Sequence, residues 1–408
     1  MTKTHKISWK RNLVCIWMGQ LLAMAGTSMV IPFIPLFLRE KLGFEDEILR
    51  AMAISMFFSL GLLTFCLSNP FWGALGDRYG RKLMLLRAYF VTAITFPAMY
   101  FMPNWGCLMV MRVFSSAFSG TVAAAQALVA VTTPDEHQGF ALGTLSTSFW
   151  SGNMLGMVGG GLVVHYFGYM AAFLTCGAAF LLGGILTLCF VEENFVPPVK
   201  NVKKSTAGRN WKFSLPSFGP GVWVMLGVMF IVALARRCDE PFLALLVELI
   251  GGKESAAFNT GMVAASAAVG GILSGVVIGH LSDRCKPLML AVPAMAFAGA
   301  VMLVQSQSQT IWVLGITRFL VFFAAGGLEP IMLAMLSNTV KPERRGAAFG
   351  WSASGRMFGG MFGSVMGGSV IAWVGTRGVF VFAGILYIVL IPVIIWAVNT
   401  VAKYKRLD

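Results

Sequence analysis

Twelve apolar runs, each long enough to cross a bilayer as a helix, take up most of this chain. About 20 such residues span the hydrocarbon core. The runs fall at 12–38, 51–75, 83–102, 107–131, 139–165 and 171–191, then at 219–249, 256–281, 288–304, 310–338, 347–373 and 379–400. They lack the ten-residue alternation of barrel strands. In lipid each backbone polar group must find a partner within its own segment, so an all-α integral membrane protein of twelve helices is expected. Composition agrees. Charged residues make up 12% and hydrophobic ones 57%, whereas a soluble domain carries about 25% charged residues.

The net charge of +14 would also suit a nucleic-acid binder, but its distribution argues for a membrane. Lys and Arg gather near both ends and in every second gap: Lys3, Lys6, Lys10 and Arg11; Arg78, Arg81, Lys82 and Arg87; Lys200 to Lys212; Arg284 and Lys286; Lys341 to Arg345; Lys403 to Arg406. The other side holds only Arg39, Lys41, Arg50, Lys253 and Arg377. Both termini and the middle loop are therefore expected in the cytoplasm, with the lipid bilayer as partner and no nucleic acid. A signal peptide ending at Ala23-Met24-Ala25 is the rival reading of the first run. It would leave eleven spans and orphan a helix of the second half, so the uncleaved reading is preferred. Seven cysteines form no C-x-x-C pair and four histidines no H-E-x-x-H, so no metal or cofactor is expected.

The chain repeats itself. A polar stretch, 192–217, separates residues 1–191 from 218–408, six spans on each side. Gly76-Asp77-Arg78 follows the second span and Ser282-Asp283-Arg284 the eighth, 206 residues later. Arg112 and Arg318 share that spacing, as do Pro35 and Pro241. Gly156, Gly160 and Gly161 recur 207 residues on as Gly363, Gly367 and Gly368. Two like-oriented halves suggest a transporter built around a central site.

The run Pro70-Phe71-Trp72-Gly73-Ala74-Leu75-Gly76-Asp77-Arg78-Tyr79-Gly80-Arg81-Lys82 resembles the loop signature of the major facilitator superfamily. Arg112 with Gly120 resembles its fourth-helix motif, and Gly152-x-x-x-Gly156-x-x-x-Gly160-Gly161 the fifth-helix motif of its antiporters. Met157 stands where that motif places proline. The similarity covers the whole chain and is strongest to bacterial twelve-helix drug:proton antiporters. It implies two pseudo-symmetric six-helix bundles, with Gly76, Asp77, Arg78, Gly80, Arg81, Asp283 and Arg284 as a latch for the outward-facing state. The glycines 152, 156, 160, 161, 363 and 367 lie at four-residue spacing, which lets helices approach closely, and a smooth seam between the halves is expected of them.

Charges within spans are costly and usually face a cavity or a partner. The candidates for a substrate and proton pathway are Arg112, Asp239, Glu240, Arg318, Glu329 and Arg356, with Arg236 and Arg237 beside them. Many antiporters of the resembled family carry an acid in the first helix; here Gln20, Thr27 and Ser28 occupy it, and the first six spans contain no Asp or Glu. Proton coupling is therefore expected in the second half, with Glu329 the first choice. Met24, Met29, Phe33, Trp150, Met154 and Trp351 are candidates for a greasy cavity. An inner-membrane, proton-coupled exporter of small amphipathic molecules, working as a monomer, is the leading expectation. A carrier of an anionic or zwitterionic metabolite, such as a carboxylate siderophore, is the alternative. An enzyme has no nucleophile–base cluster to support it, and no G-x-x-x-x-G-K-[ST] loop is present for ATP.

Overall fold

The apolar runs become helices, and polar residues between runs cap several of them. A computed structural model describes residues 8–193, 218–282, 287–340 and 345–404, among which there is no strand. Asp283 and Arg284 of the expected latch lie outside the described residues, as does the side chain of Asp77.

The helices are α1 (Trp9–Val30), α2 (Ile34–Leu42), α3 (Glu47–Tyr79), α4 (Arg81–Tyr100), α5 (Trp105–Phe118), α6 (Thr121–Thr132), α7 (Gln138–Phe190), α8 (Pro220–Asp239), α9 (Leu243–Gly251), α10 (Ala256–Ser282), α11 (Pro287–Ser306), α12 (Ile311–Ala325), α13 (Leu328–Thr339), α14 (Arg345–Val374) and α15 (Thr376–Tyr404). Ser8, Asp46, Asn104 and Thr310 cap α1, α3, α5 and α12 by accepting an amide N–H three residues on, which satisfies one orphan donor of each first turn. At 53 residues α7 would run about 80 Å if straight, over twice a bilayer. Gly168, at φ 77°, breaks it into the fifth and sixth spans, a conformation that side chains with a Cβ disfavour.

Four spans are discontinuous, in matched pairs. The first and seventh are interrupted by one 3₁₀ turn each, Ile31–Phe33 and Glu240–Phe242, and each turn leads into a nine-residue helix. The fourth breaks at Ser119–Gly120 and the tenth at Gly326–Gly327. These turns correct the sequence pairing of Pro35 with Pro241. The structural counterpart of Pro241 is Pro32, since both occupy the second position of their 3₁₀ turns. Proline lacks the N–H that the helix would need there, so it marks the break.

Within the first half α1 and α4 pack on α7; within the second, α8 packs on α14 and α15, α10 on α12, and α11 on α15. The halves meet through α3 with α14 and α7 with α10. The face carrying Trp9, residues 191–193, Pro220 and Tyr404 is here the terminal face, and the opposite one the distal face. The contacts between halves concentrate distally. A Cβ added to Gly261 would lie 2.9 Å from the Gly161 Cα, and Gly368 abuts Ser55. Toward the terminal face, a Cβ added to Gly73, Gly143, Gly275 or Gly350 would meet open space among the described residues.

The seam expectation needs correction. Gly152, Gly156 and Gly160 pack on Leu21, Ala25 and Met29 of α1, in their own half, and Gly363 and Gly367 pack on Leu234 and Cys238 of α8, also in their own half. Gly161 does face the other half, as does Gly368. A four-residue ladder stays on one helix face, while its next neighbour points about 100° away. The ladders therefore bind the fifth and eleventh spans to the first and seventh, and the adjacent glycine serves the contact between halves. Ala23–Ala25, the segment of the signal-peptide reading, lies within the helix on which this ladder packs.

Candidate transport site

Residues 236–240, at the end of α8 and the start of the 3₁₀ turn, send their side chains in different directions, and this separates four charges. Asp239 points into the second half and pairs with Arg318 of α12. Both side chains are buried, at 2% and 1% exposure, and the guanidinium lies 4.9 Å from the Phe322 ring. Arg237 pairs with Glu240 one turn on, at 3.0 Å, and both stay half-exposed. Arg236 reaches Glu329 of α13 at 3.5 Å. The other carboxylate oxygen of Glu329 pairs with Arg356 of α14.

Exposure distinguishes these pairs. The Asp239–Arg318 pair is sealed from water. The Glu329 side chain is 44% exposed, and Arg236 and Arg356 about a quarter, at 24% and 26%. Arg356 stands 11 residues into α14, about 17 Å from its terminal end, which is mid-depth. Glu329 occupies the first turn of α13, just past the Gly326–Gly327 break, where helix N-terminal amides favour a negative charge. The result is a three-membered cluster drawn from the seventh, tenth and eleventh spans, with one carboxylate between two guanidiniums and a formal charge of about +1. Such a cluster can hold a charged group, exchange a proton at the carboxylate, or swap ion partners.

Arg112 is placed differently. Its Nε donates to the Phe57 carbonyl at 3.3 Å, and its guanidinium lies 4.5 Å from the Phe57 ring. It lies over Gly61, where an added Cβ would come within 2.7 Å of Cζ. Among the described residues it has no carboxylate within ion-pair distance. The first half supplies hydroxyls and amides instead. Ser28 Oγ donates to Asn153, and Trp17 Nε1 to Thr147 Oγ1 at 2.9 Å. Of the cavity candidates, Phe33 and Met24 are buried in packing. Met29 seats Gly160, and Trp351 packs edge-on against Trp223. Trp150 is exposed beside Gly271 of the other half.

At the expected latch, Gly80 at φ 101° ends α3 and starts α4, and Arg78 is exposed over the Tyr79 ring. Glu193, which the sequence reading passed over, accepts from the amides of Arg81 and Lys82 at 3.0 and 2.8 Å. It thereby satisfies orphan donors of the first turn of α4. Its only signal in sequence is an acid directly after the sixth span, on the side of the basic loops. Arg39 and Arg50, which the sequence marks only as sparse basic residues of the opposite side, meet Glu248 where the halves touch on the distal face.

The profile of the Major Facilitator Superfamily matches residues 16–304 and 225–407. The chain belongs to this family. It is 35% identical over 376 residues to the multidrug resistance protein MdtG of Escherichia fergusonii, covering 92% of this chain and 91% of that protein. It is likewise 35% identical over 383 residues to MdtG of Citrobacter koseri, covering 93% of each. Among solved structures, the fold resembles the nucleoside transporter NupG, with a TM-score of 0.77 at 12% identity over 94% of this chain and 99% of that one. It also resembles a bacterial homologue of the lysosomal transporter Spinster, with a TM-score of 0.73 at 14% identity over 96% and 97%. The chain is therefore a multi-pass membrane transporter of the major facilitator fold, not an enzyme.

Proposed function

We propose that this transporter exports small amphipathic molecules across the bacterial inner membrane in exchange for protons, as a monomer with both termini in the cytoplasm. The observation that carries this reading is Glu329, half-exposed and held by Arg236 and Arg356. Among the described acids of the second half it is the one held between two guanidiniums of other helices while still half-exposed. When a proton neutralises Glu329, both guanidiniums lose their partner and the cluster gains one positive charge. A cationic amphiphile is then less welcome, so proton and substrate compete, as exchange requires. The naming of the MdtG relatives as multidrug resistance proteins supports the substrate class. Lys and Arg clustering on the terminal side supports the orientation. Residues 1–191 and 218–408 would act as the two rocking bundles, with 192–217 as linker. The α3–α4 junction from Gly76 to Arg81, with Asp283 and Arg284, would close the terminal face in the outward-facing state.

The excess of guanidinium over carboxylate in this cluster favours a second reading, in which the substrate is anionic or zwitterionic. An anion would bind the arginines when Glu329 is protonated, so proton and substrate would travel together. Proteoliposomes with an imposed pH gradient separate the two. Under export by exchange, cationic or neutral amphiphiles move against the proton flow, and Glu329→Gln loses gradient-driven transport about tenfold or more. Anions moving with the protons would establish the second reading. Full coupling in Glu329→Gln would remove Glu329 from the proton path.

A further inference from the structure

Five ionisable side chains gather where the halves touch on the distal face, far from the central cluster. Arg39 of α2 pairs with Glu248 of α9 at 2.5 Å, and Arg50 of α3 with the same carboxylate at 3.2 Å. Glu40 pairs with Arg39 at 2.7 Å and accepts from the Tyr169 hydroxyl at 3.1 Å. Arg39, Arg50 and Glu248 are 8%, 9% and 10% exposed. Basic residues that serve only orientation extend to the interface and into water. These do not.

The repeat explains the location. Arg39 is the sixth residue of its nine-residue helix, α2, and Glu248 the sixth of α9. They are equivalent positions in the two halves. Equivalent residues that touch must lie next to the axis relating the halves, which here is the middle of the distal mouth. One half presents a cation there and the other an anion, so the axial contact is attractive. Nearby, Glu47 accepts from the Thr376 amide at 2.9 Å and from the hydroxyl of the same residue, a second tie between halves.

We propose that Arg39, Arg50 and Glu248 form an ionic gate closing the distal mouth, with Glu248 the positioning residue that releases both arginines each time the carrier opens distally. An ion pair suits this task. Buried and closed, it is costly to break by removing one partner. When the mouth opens, both ions regain water, so the open state is not penalised as exposed apolar surface would be. Glu40 stays with Arg39 in the first half and keeps one of the two cations partnered throughout. The gate lies opposite the Gly76–Arg81 junction, so each face of the carrier has its own charged closure.

The test uses the full chain in nanodiscs, with native cysteines replaced and spin labels at Glu45→Cys and Lys253→Cys, exposed distal residues of opposite halves. Pulsed dipolar spectroscopy reads the distance between them. The parent shows a dominant short distance. Glu248→Gln raises the ratio of long- to short-distance populations at least about tenfold, Arg50→Gln raises it less because Arg39 still holds Glu248, and Glu248→Asp stays near the parent. Unchanged distances in folded, monodisperse Glu248→Gln, or a shift as large in Glu248→Asp, overturn the proposal. If Glu248→Gln does not fold, Arg50→Gln decides: an unchanged distribution overturns the gate. The readout involves neither substrate nor proton, so its failure is distinguishable from failure of the export reading.

Discussion

The two halves share a scaffold and differ in what they place inside it. Both break the first helix of the repeat at a 3₁₀ turn with proline in second position, and both break the fourth helix near its middle. Both seat a glycine ladder on the first helix of the repeat. Yet α8 ends in Arg236, Arg237 and Asp239, whereas the last residues of α1 are Thr27 to Val30. The counterpart of Glu329 is Val122, the second residue of a twelve-residue helix in each half. Arg112 contacts a backbone carbonyl and a ring, while its mate Arg318 holds a buried aspartate. Backbone architecture thus survives duplication because packing requires it of both copies. Intramembrane acids are kept in one copy, where one sealed pair braces the bundle and one cluster stays open.

Breaking the sealed pair should have the largest effect on stability. Asp239→Asn leaves Arg318 buried without a counter-charge, at a cost of about 3–5 kcal/mol. Thermal unfolding of the purified protein would show it, and the apolar exchange Asp239→Leu with Arg318→Met should recover most of the loss. Full stability of Asp239→Asn would mean that the sealed pair is not a brace, and the division between sealed and open charges would fail. The glycine ladders should respond equally in both halves. Gly156→Ala puts a Cβ about as close to α1 as Gly367→Ala does to α8, and each should cost about 1–3 kcal/mol through overpacking. Gly73→Ala, facing open space, should stabilise by roughly 0.5–1 kcal/mol through helix propensity. A large difference between Gly156→Ala and Gly367→Ala in the same unfolding assay would show that the scaffold is less symmetric than its backbone. The smallest effect belongs to the half-exposed Arg237–Glu240 pair. Glu240→Gln should change stability by less than about 0.5 kcal/mol and leave pH-driven transport intact. A transport loss matching that of Glu329→Gln would extend the working cluster to the end of α8.

Hydrophobic run length and the 206- to 207-residue repeat are local or periodic properties, so the twelve helices, the two halves and the family were readable in the residues alone. So was the confinement of intramembrane acids to the second half. Which charge meets which was not. Four charged side chains within residues 236–240 leave in different directions and find partners up to 93 residues away, and only helix rotation and packing select among them. The glycine ladder was visible as spacing, but the helix it seats was decided by the fold, because a 100° step separates the face that packs within a half from the face that meets the other. Arg39, Arg50 and Glu248 read in sequence as ordinary residues at helix ends. Their burial as one cluster follows from a pseudo-two-fold arrangement of the halves, which brings equivalent positions of a duplicated chain face to face.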